Sequence, residues 1–465
     1  MVYKVKNKFR VLVPFFICGI IFTSCKVGRP YKAPEMNIPQ SFGICIPDSG
    51  SITVADIGWS TLYTDTVLQK LIDKALVHNK DVLISVAGIK EMIAGKRIGF
   101  ANQFPALGID GLTSREHLDY GGNTPRYTSE VHAKATLSWE IDIWGKLRWT
   151  NDAAIAAYMQ SVEAQQALRL TIVAGVAQTY FELIALDREL EIVKQTVAAR
   201  KQAVHFAKIR YEGGQTSEIP YRQSQVELAR TESLIPKLEN SIKVKENDLS
   251  LLLGEFPSLI VRGAGLRNQQ MPSDLPVDLP SSLLKRRPDI RAAEQKLIEV
   301  NARVGIALAE MFPSINLGGT LGAENSEFVN FLKSPEWFIS GALTGPIFNM
   351  GKNRAKHKAS QAVYEQVTYD YEKRVLLAFN EVYNAIITFK NAKEIRKSKT
   401  RLYDSSLSYQ ELAGLQYING IVSYIDVLDA QRQLFDAEIS LNDAILNELI
   451  STVLLYKALG GGVNK

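Results

Sequence analysis

The chain's five histidines, His78, His117, His132, His205 and His357, are the first residues to test for chemistry, and none falls in an HExxH pair that could seat a metal. No GxSxG elbow presents a nucleophilic serine and no Walker loop cradles a phosphate. Gly263-Ala264-Gly265 is a lone fragment of a glycine-rich loop. These absences predict no enzyme, no cofactor and no resident metal. Two carboxylates do stand out: Asp426 and Asp429, in YIDVLDA, lie at i and i+3 on one face of a helix near its start. Acids in a first helical turn complement the helix dipole. Against that bland reading, the matching positions in an earlier copy of this stretch are Pro220 and Gln223, so one copy alone carries the pair.

That earlier copy is what positions the acids. LQYINGIVSYIDVLDAQRQLFDAE, from Leu415 to Glu438, repeats IRYEGGQTSEIPYRQSQVELARTE about 206 residues upstream. Tyr211, Gly214, Ser217, Ile219, Gln225, Leu228 and Glu232 return as Tyr417, Gly420, Ser423, Ile425, Gln431, Leu434 and Glu438. In each copy a glycine closes one helical pattern and a serine three residues on can cap the next. Each copy is therefore a helical hairpin with Gly213 and Gly214, or Gly420, at its tip.

The remaining elements follow in order. Leu62 to Ala101 has helical spacing, ended by Phe104-Pro105. Val131, Ala133, Ala135, Leu137, Trp139, Ile141 and Ile143 then alternate with His132, Lys134, Thr136, Ser138, Glu140 and Asp142, a two-faced strand. Its thirteen residues exceed the nine to eleven, roughly, that a tilted strand needs to cross a membrane. A half-buried strand of a soluble sandwich alternates in the same way, and periodicity does not separate the two. Leu107, Ile109 and Leu112 form a weaker partner strand, joined through a linker that includes Tyr120 to Pro125. From Gly145 to about Arg210 no proline interrupts a helical pattern of roughly 65 residues, about 100 Å long. Ala154, Ala157, Ser161, Ala164, Leu168 and Thr171 make a seam of mostly small residues along it. The returning helix, after Gly214, runs to Leu253-Gly254, and Pro236 should kink it.

After a proline-rich loop the second copy opens at Pro280. A helix from about Asp289 closes at Phe312-Pro313. Ile315, Leu317 and Leu321 begin a third strand, and Trp337, Ile339, Gly341, Leu343 and Ile347 make a fourth. The last hairpin occupies roughly Ala355 to Leu459, with a second seam from Val427 to Ala444. The divisions are 1–24 signal peptide, 25–59 extended tether, 60–257 first repeat and 281–465 second repeat.

Composition sets the limits. With 46% hydrophobic and 22% charged residues the chain can bury a large core, and a net charge of +5 is too dilute to recruit nucleic acid. Lys4, Lys6, Lys8 and Arg10 precede an apolar run from Val11 to Phe22, as in a secretory signal. Thr23-Ser24-Cys25 then resembles a lipoprotein box, which implies cleavage before Cys25 and acylation of it at a membrane surface. Cys18 leaves with the signal and Cys45 remains, so one mature chain holds no disulfide framework. Past the signal no stretch approaches the ~20 apolar residues of a membrane helix, so a bilayer is crossed, if at all, by strands.

Four strands cannot close a barrel, and an open edge cannot face lipid, where nothing satisfies its N–H and C=O groups. Two chains give eight strands with a filled interior, whereas three give twelve around an aqueous lumen. The expected fold is thus an α+β membrane protein, each chain adding four strands to a trimeric 12-stranded β-barrel that long helical hairpins continue. The polar face of the second strand, with Lys134, Glu140 and Asp142, would line the lumen.

Leu283-Leu284-Lys285-Arg286-Arg287-Pro288-Asp289-Ile290-Arg291-Ala292-Ala293-Glu294 closely resembles the hallmark of the TolC-type outer-membrane efflux channels, lipoprotein branch. So do Ser138-Trp139-Glu140-Ile141-Asp142, Leu251-Leu252-Leu253-Gly254 and the tether after Cys25. The resemblance covers nearly the whole mature chain. It implies a homotrimer in outer-membrane lipid with a periplasmic helical barrel, docked to a periplasmic adaptor and an inner-membrane transporter that exports drugs, other xenobiotics or metal ions. It further implies that Asp426 and Asp429 form an acidic ring constricting the periplasmic aperture, and that Gly213, Gly214, Ser217, Gly420 and Ser423 belong to hairpin tips where the adaptor docks. Two other readings stay open: the channel of a type I protein-secretion system, and a soluble periplasmic coiled-coil adaptor lipoprotein, which would lack the four strands.

Overall fold

The structure is a computed structural model that describes residues 26–39, 57–118, 126–269 and 280–461. Cys25 and the signal segment lie outside the described residues, as does the linker from Tyr120 to Pro125.

In chain order, α1 (Trp59–Leu62), α2 (Thr66–His78) and α3 (Lys80–Ala101) precede β1 (Ala106–Leu118) and β2 (Arg126–Ile141). Then come α4 (Lys146–Glu212), α5 (Glu218–Glu232) and α6 (Leu234–Leu252). The second copy repeats this order with α7 (Pro280–Arg286), α8 (Pro288–Ala309), β3 (Ser314–Asn325), β4 (Pro335–Thr344), α9 (Lys352–Ile418) and α10 (Tyr424–Ala458). The two long helices α4 and α9 have 67 residues each, about 100 Å at 1.5 Å per residue.

The described residues gather into two compact units. One holds residues 26–36, Gly88–Val162 and Ala292–Lys373, and the other holds the remainder.

The first unit is organised by the sheet. Its four strands form an antiparallel meander, β1-β2-β3-β4, so β2 and β3 are neighbours although a whole helical hairpin separates them in sequence. The register places Leu107 opposite Leu137, Trp139 opposite Leu317, and Leu321 opposite Trp337. Every one of these stands on the same face, because alternate side chains point the same way. Most of that face is bare, Ile109 being 92% exposed and Ile339 77%, while Val131 and Ala323 near one end are buried. A soluble sandwich would bury such a face, so the half-buried reading of β2 fails, and the strand-free coiled-coil reading fails with it.

The strands stop earlier than alternation suggests. β2 ends at Ile141, before Ile143 and Asp142, and β4 ends at Thr344, where Gly345-Pro346 removes a ladder donor ahead of Ile347. The stretch after Cys25 is extended but clamped. Val27 donates its N–H to Trp144 O, Trp149 Nε1 donates to Val27 O at 2.7 Å, and the Lys26 ammonium lies 3.4 Å from the Trp149 ring.

The second unit is a helical bundle. Leu68 and Ile72 of α2, Val176, Tyr180 and Phe181 of α4, Leu249 of α6, and Val453 and Tyr456 of α10 share one core. Part of α4 is apolar enough by length and composition to cross a membrane, but more than half of that stretch is buried against its own chain. Two breaks refine the expected helices. Asn79 separates α2 from α3 by capping the latter, its Oδ1 accepting from Asp81 N at 2.9 Å. The kink expected from Pro236 falls three residues earlier, at Ser233. Proline cannot donate to the carbonyl four residues back, that of Glu232, and its ring crowds that group. Asn442 occupies the equivalent place in α10, which runs unbroken for 35 residues.

Candidate functional site

Both hairpins turn through the same backbone device. After α4, Gln215 N donates to Arg210 O at 2.9 Å and Gly214 N to Tyr211 O at 3.0 Å. After α9, Ile421 N donates to Gln416 O at 2.9 Å and Gly420 N to Tyr417 O at 3.1 Å. Gly214 and Gly420 sit at φ of 70° and 71°, the left-handed region that the motif requires. Gly213 keeps an ordinary φ, but a Cβ there would stand 3.2 Å from Ile209 O.

The serines at the tips differ. Ser217 precedes α5 and makes no side-chain cap bond. Ser423 precedes α10 and donates both its N–H, at 2.9 Å, and its Oγ, at 2.7 Å, to the Asp426 carboxylate. Those bonds hold the exposed Asp426 carboxyl below the usual carboxylate range, the Ser423 hydroxyl being the larger cause. Asp429 accepts from Gln433 Nε2 at 2.7 Å, one turn further along.

Sequence reasoning missed a bridge between the two tips. Arg210, near the end of α4, donates to the Tyr417 hydroxyl and holds its guanidinium 5.1 Å from that ring, which packs on Tyr424 with centroids 5.5 Å apart. A cleft of ≈ 410 Å³ opens beside it, lined by Phe206, Thr216, Pro220, Ile418 and Tyr424. The signal was a departure from the repeat, since Arg210 corresponds to Gln416 while the tyrosines match.

The three residues expected to line a lumen do not form one site. Lys134 stands on the polar face of β2 and binds Glu324 of β3 and, at 2.9 Å, Glu336 of β4. Glu140, on the same face, accepts from Lys146 Nζ at 2.7 Å. Asp142 is not on the strand at all. Its carboxylate accepts from the N–H groups of Leu147 at 3.0 Å and Arg148 at 2.9 Å, satisfying free donors at the start of α4. Its acidity serves that helix, and the strand assignment is corrected.

The LLKRRPDI segment is structural. Arg287 grips Asp289 with two bonds of 3.0 and 2.8 Å, reaches Glu381 Oε2 at 2.7 Å, and donates to Ala458 O at 2.9 Å. Burial raises the Asp289 carboxyl, but the Arg287 guanidinium outweighs it and holds Asp289 low. The segment thus ties the start of α8 to α9 and to the end of α10.

With this geometry in hand, comparisons with known proteins are direct. The family model described as outer membrane efflux protein matches residues 71–255 and again 279–461. The cation efflux system protein CusC of Escherichia coli K12 is 30% identical over 457 residues, covering 97% of this chain and 99% of CusC. The antibiotic efflux pump outer membrane protein ArpC of Pseudomonas putida is 29% identical, covering 97% of this chain and 95% of ArpC. Among solved structures, the open state of the MtrE outer membrane channel of Neisseria gonorrhoeae superposes with a TM-score of 0.88 at 28% identity, covering 95% of this chain and 99% of that one.

Proposed function

The chain belongs to the outer membrane efflux protein family, and from that premise we propose that three copies close one twelve-stranded barrel through which small molecules or cations leave the cell. An inner-membrane pump and a periplasmic adaptor supply the energy and the cargo. The relatives carry both cargo names, cation for CusC and antibiotic for ArpC, at nearly equal identity, so both classes stand.

The observation that supports this best is the sheet. It has one largely bare apolar face, one polar face, and two edges, β1 and β4, with no strand beyond them among the described residues. In lipid each edge must pair with the opposite edge of a neighbouring copy, β1 against β4. A lumen wide enough for solute needs more than eight strands, and three chains provide twelve.

We assign the periplasmic aperture to Asp426 and Asp429 of three chains, six carboxylates favouring cations around one pore. The hairpin tips with Gly213, Gly214, Ser217, Gly420 and Ser423 form the adaptor contact, and lipidation of Cys25 holds the chain at the membrane. The aperture is tested by single-channel recording in a planar bilayer. The purified protein should pass a small ion current, and the double variant Asp426→Asn, Asp429→Asn should pass a larger one. Asparagine preserves an acceptor for Ser423, so the helix start is kept while the charge goes. Equal conductance would remove both residues from the aperture, and no current in either protein would refute the channel.

A further inference from the structure

The polar face of the sheet carries a cluster around Lys134 whose other members the channel reading does not use. Glu130, His132 and Lys134 of β2 point the same way by alternation. The register sets His132 opposite Glu324 on β3, and Lys134 opposite Asp110 on β1. Ligand atoms of Glu130, His132 and Glu324 all lie within 4.8 Å of one another. His132 Nδ1 is 2.9 Å from Glu130 Oε1, and Nε2 is 3.5 Å from Asp110 Oδ2.

We propose that Glu130, His132 and Glu324 form a binding site for a divalent transition-metal cation on the lumen face of the barrel, one site per chain. The donor set is one imidazole nitrogen with carboxylate oxygens, which suits Zn²⁺, Co²⁺, Ni²⁺ or Cu²⁺. No sulfur stands in the cluster, so soft monovalent ions find no preferred ligand there. Around tetrahedral zinc, donor atoms stand roughly 3.4 Å apart, so the half-exposed Glu130 and Glu324 carboxylates need to close on the His132 ring by up to about 1.4 Å. The metal takes the place between Nδ1 and Glu130 now filled by a hydrogen bond. Asp110, at the other ring nitrogen, then accepts from Nε2–H and orients the ring, the carboxylate–histidine–metal arrangement that ordinary metal sites use.

Charge points the same way. Asp110, Glu130, Glu324 and Glu336 are four carboxylates, and Lys134 is the ammonium that bridges two of them, Glu324 and Glu336. Glu130 and Asp110 both face the His132 ring, one at each nitrogen. Lys134 therefore competes with a metal for Glu324, and keeps Glu336 when Glu324 turns away. A trimer would hold three such sites in one ring. The sequence alone hides them, because their ligands meet across two strands that are nearly 200 residues apart.

The proposal rests on the channel reading only for placing this face against the lumen. It is tested by titrating the purified full-length trimer in detergent with Zn²⁺ by calorimetry. The expected result is three ions per trimer, with affinity at least about tenfold weaker in His132→Ala and in Glu130→Gln. Lys134→Gln should bind more tightly. Retained trimer mobility on a gel shows that each variant is folded. Absence of Zn²⁺ binding by a trimer that still conducts in a bilayer overturns the site and leaves the channel reading intact. Binding unchanged by both ligand variants overturns it as well. Stoichiometric binding by a protein that never conducts would instead refute the channel and leave the site.

Discussion

Asp65 is buried, 8% exposed, and ionised, which it can be because its lone pairs are occupied. Its carboxylate accepts from Val67 N at 2.8 Å, Tyr180 Oη at 2.8 Å, Gln269 Nε2 at 2.9 Å and Ala264 N at 3.1 Å. Burial raises the group, but these donors, Gln269 and Tyr180 foremost, outweigh it and hold Asp65 below its ordinary value. A depressed carboxylate contributes stability above its unfolded value, near pH 3.9, and loses it as pH falls through the lower folded value. Asp65→Asn should therefore cost about 1–3 kcal/mol at neutral pH and flatten the acid limb of thermal unfolding, measured at fixed trimer concentration. Parallel curves for variant and wild type would contradict this. Asp426 illustrates the opposite limit, an exposed acid whose bonds from Ser423 explain its position at the start of the helix.

At the scale of elements, the glycines that end helices are not equivalent. Gly420 and Gly254 have nearly the same φ, 71° and 74°, so alanine is strained at both, by about 1–2 kcal/mol. At Gly420 a Cβ meets open space, whereas at Gly254 it would stand 2.3 Å from His78 O, a backbone atom with no room to yield. Gly254→Ala should lower the unfolding midpoint well beyond Gly420→Ala, and equal losses would show that the contact is not held in solution. Most elements were legible because each has one dominant signal: strict alternation in β2, an unbroken 3.6 period in α4, the Gly-x-x-Ser at each tip. What was not legible is where two signals compete. Asp142 continues the alternation of β2, yet its carboxylate is taken by the first N–H groups of α4, and the strand stops at Ile141. Likewise Asn79 reads as one more polar helix residue until its side chain is seen capping α3. The metal-site residues were invisible for a different reason, since sequence spacing says nothing about cross-strand register between β2 and β3.

For the whole molecule, the claim on which everything depends is that the sheet's two edges are shared between chains around water. Among the described residues no strand pairs with the outer side of β1 or β4, and in lipid unpaired ladder groups cost several kcal/mol each. The most direct measurement is a cysteine scan across that boundary, with Thr113→Cys in β1 combined in turn with cysteine at Trp337, Ile339 and Gly341 in β4. Oxidised in native membranes and run without reductant, the account predicts that one register gives a covalent trimer. Monomer at every register, in protein shown to reach the outer membrane, would contradict a barrel wall built from neighbouring copies.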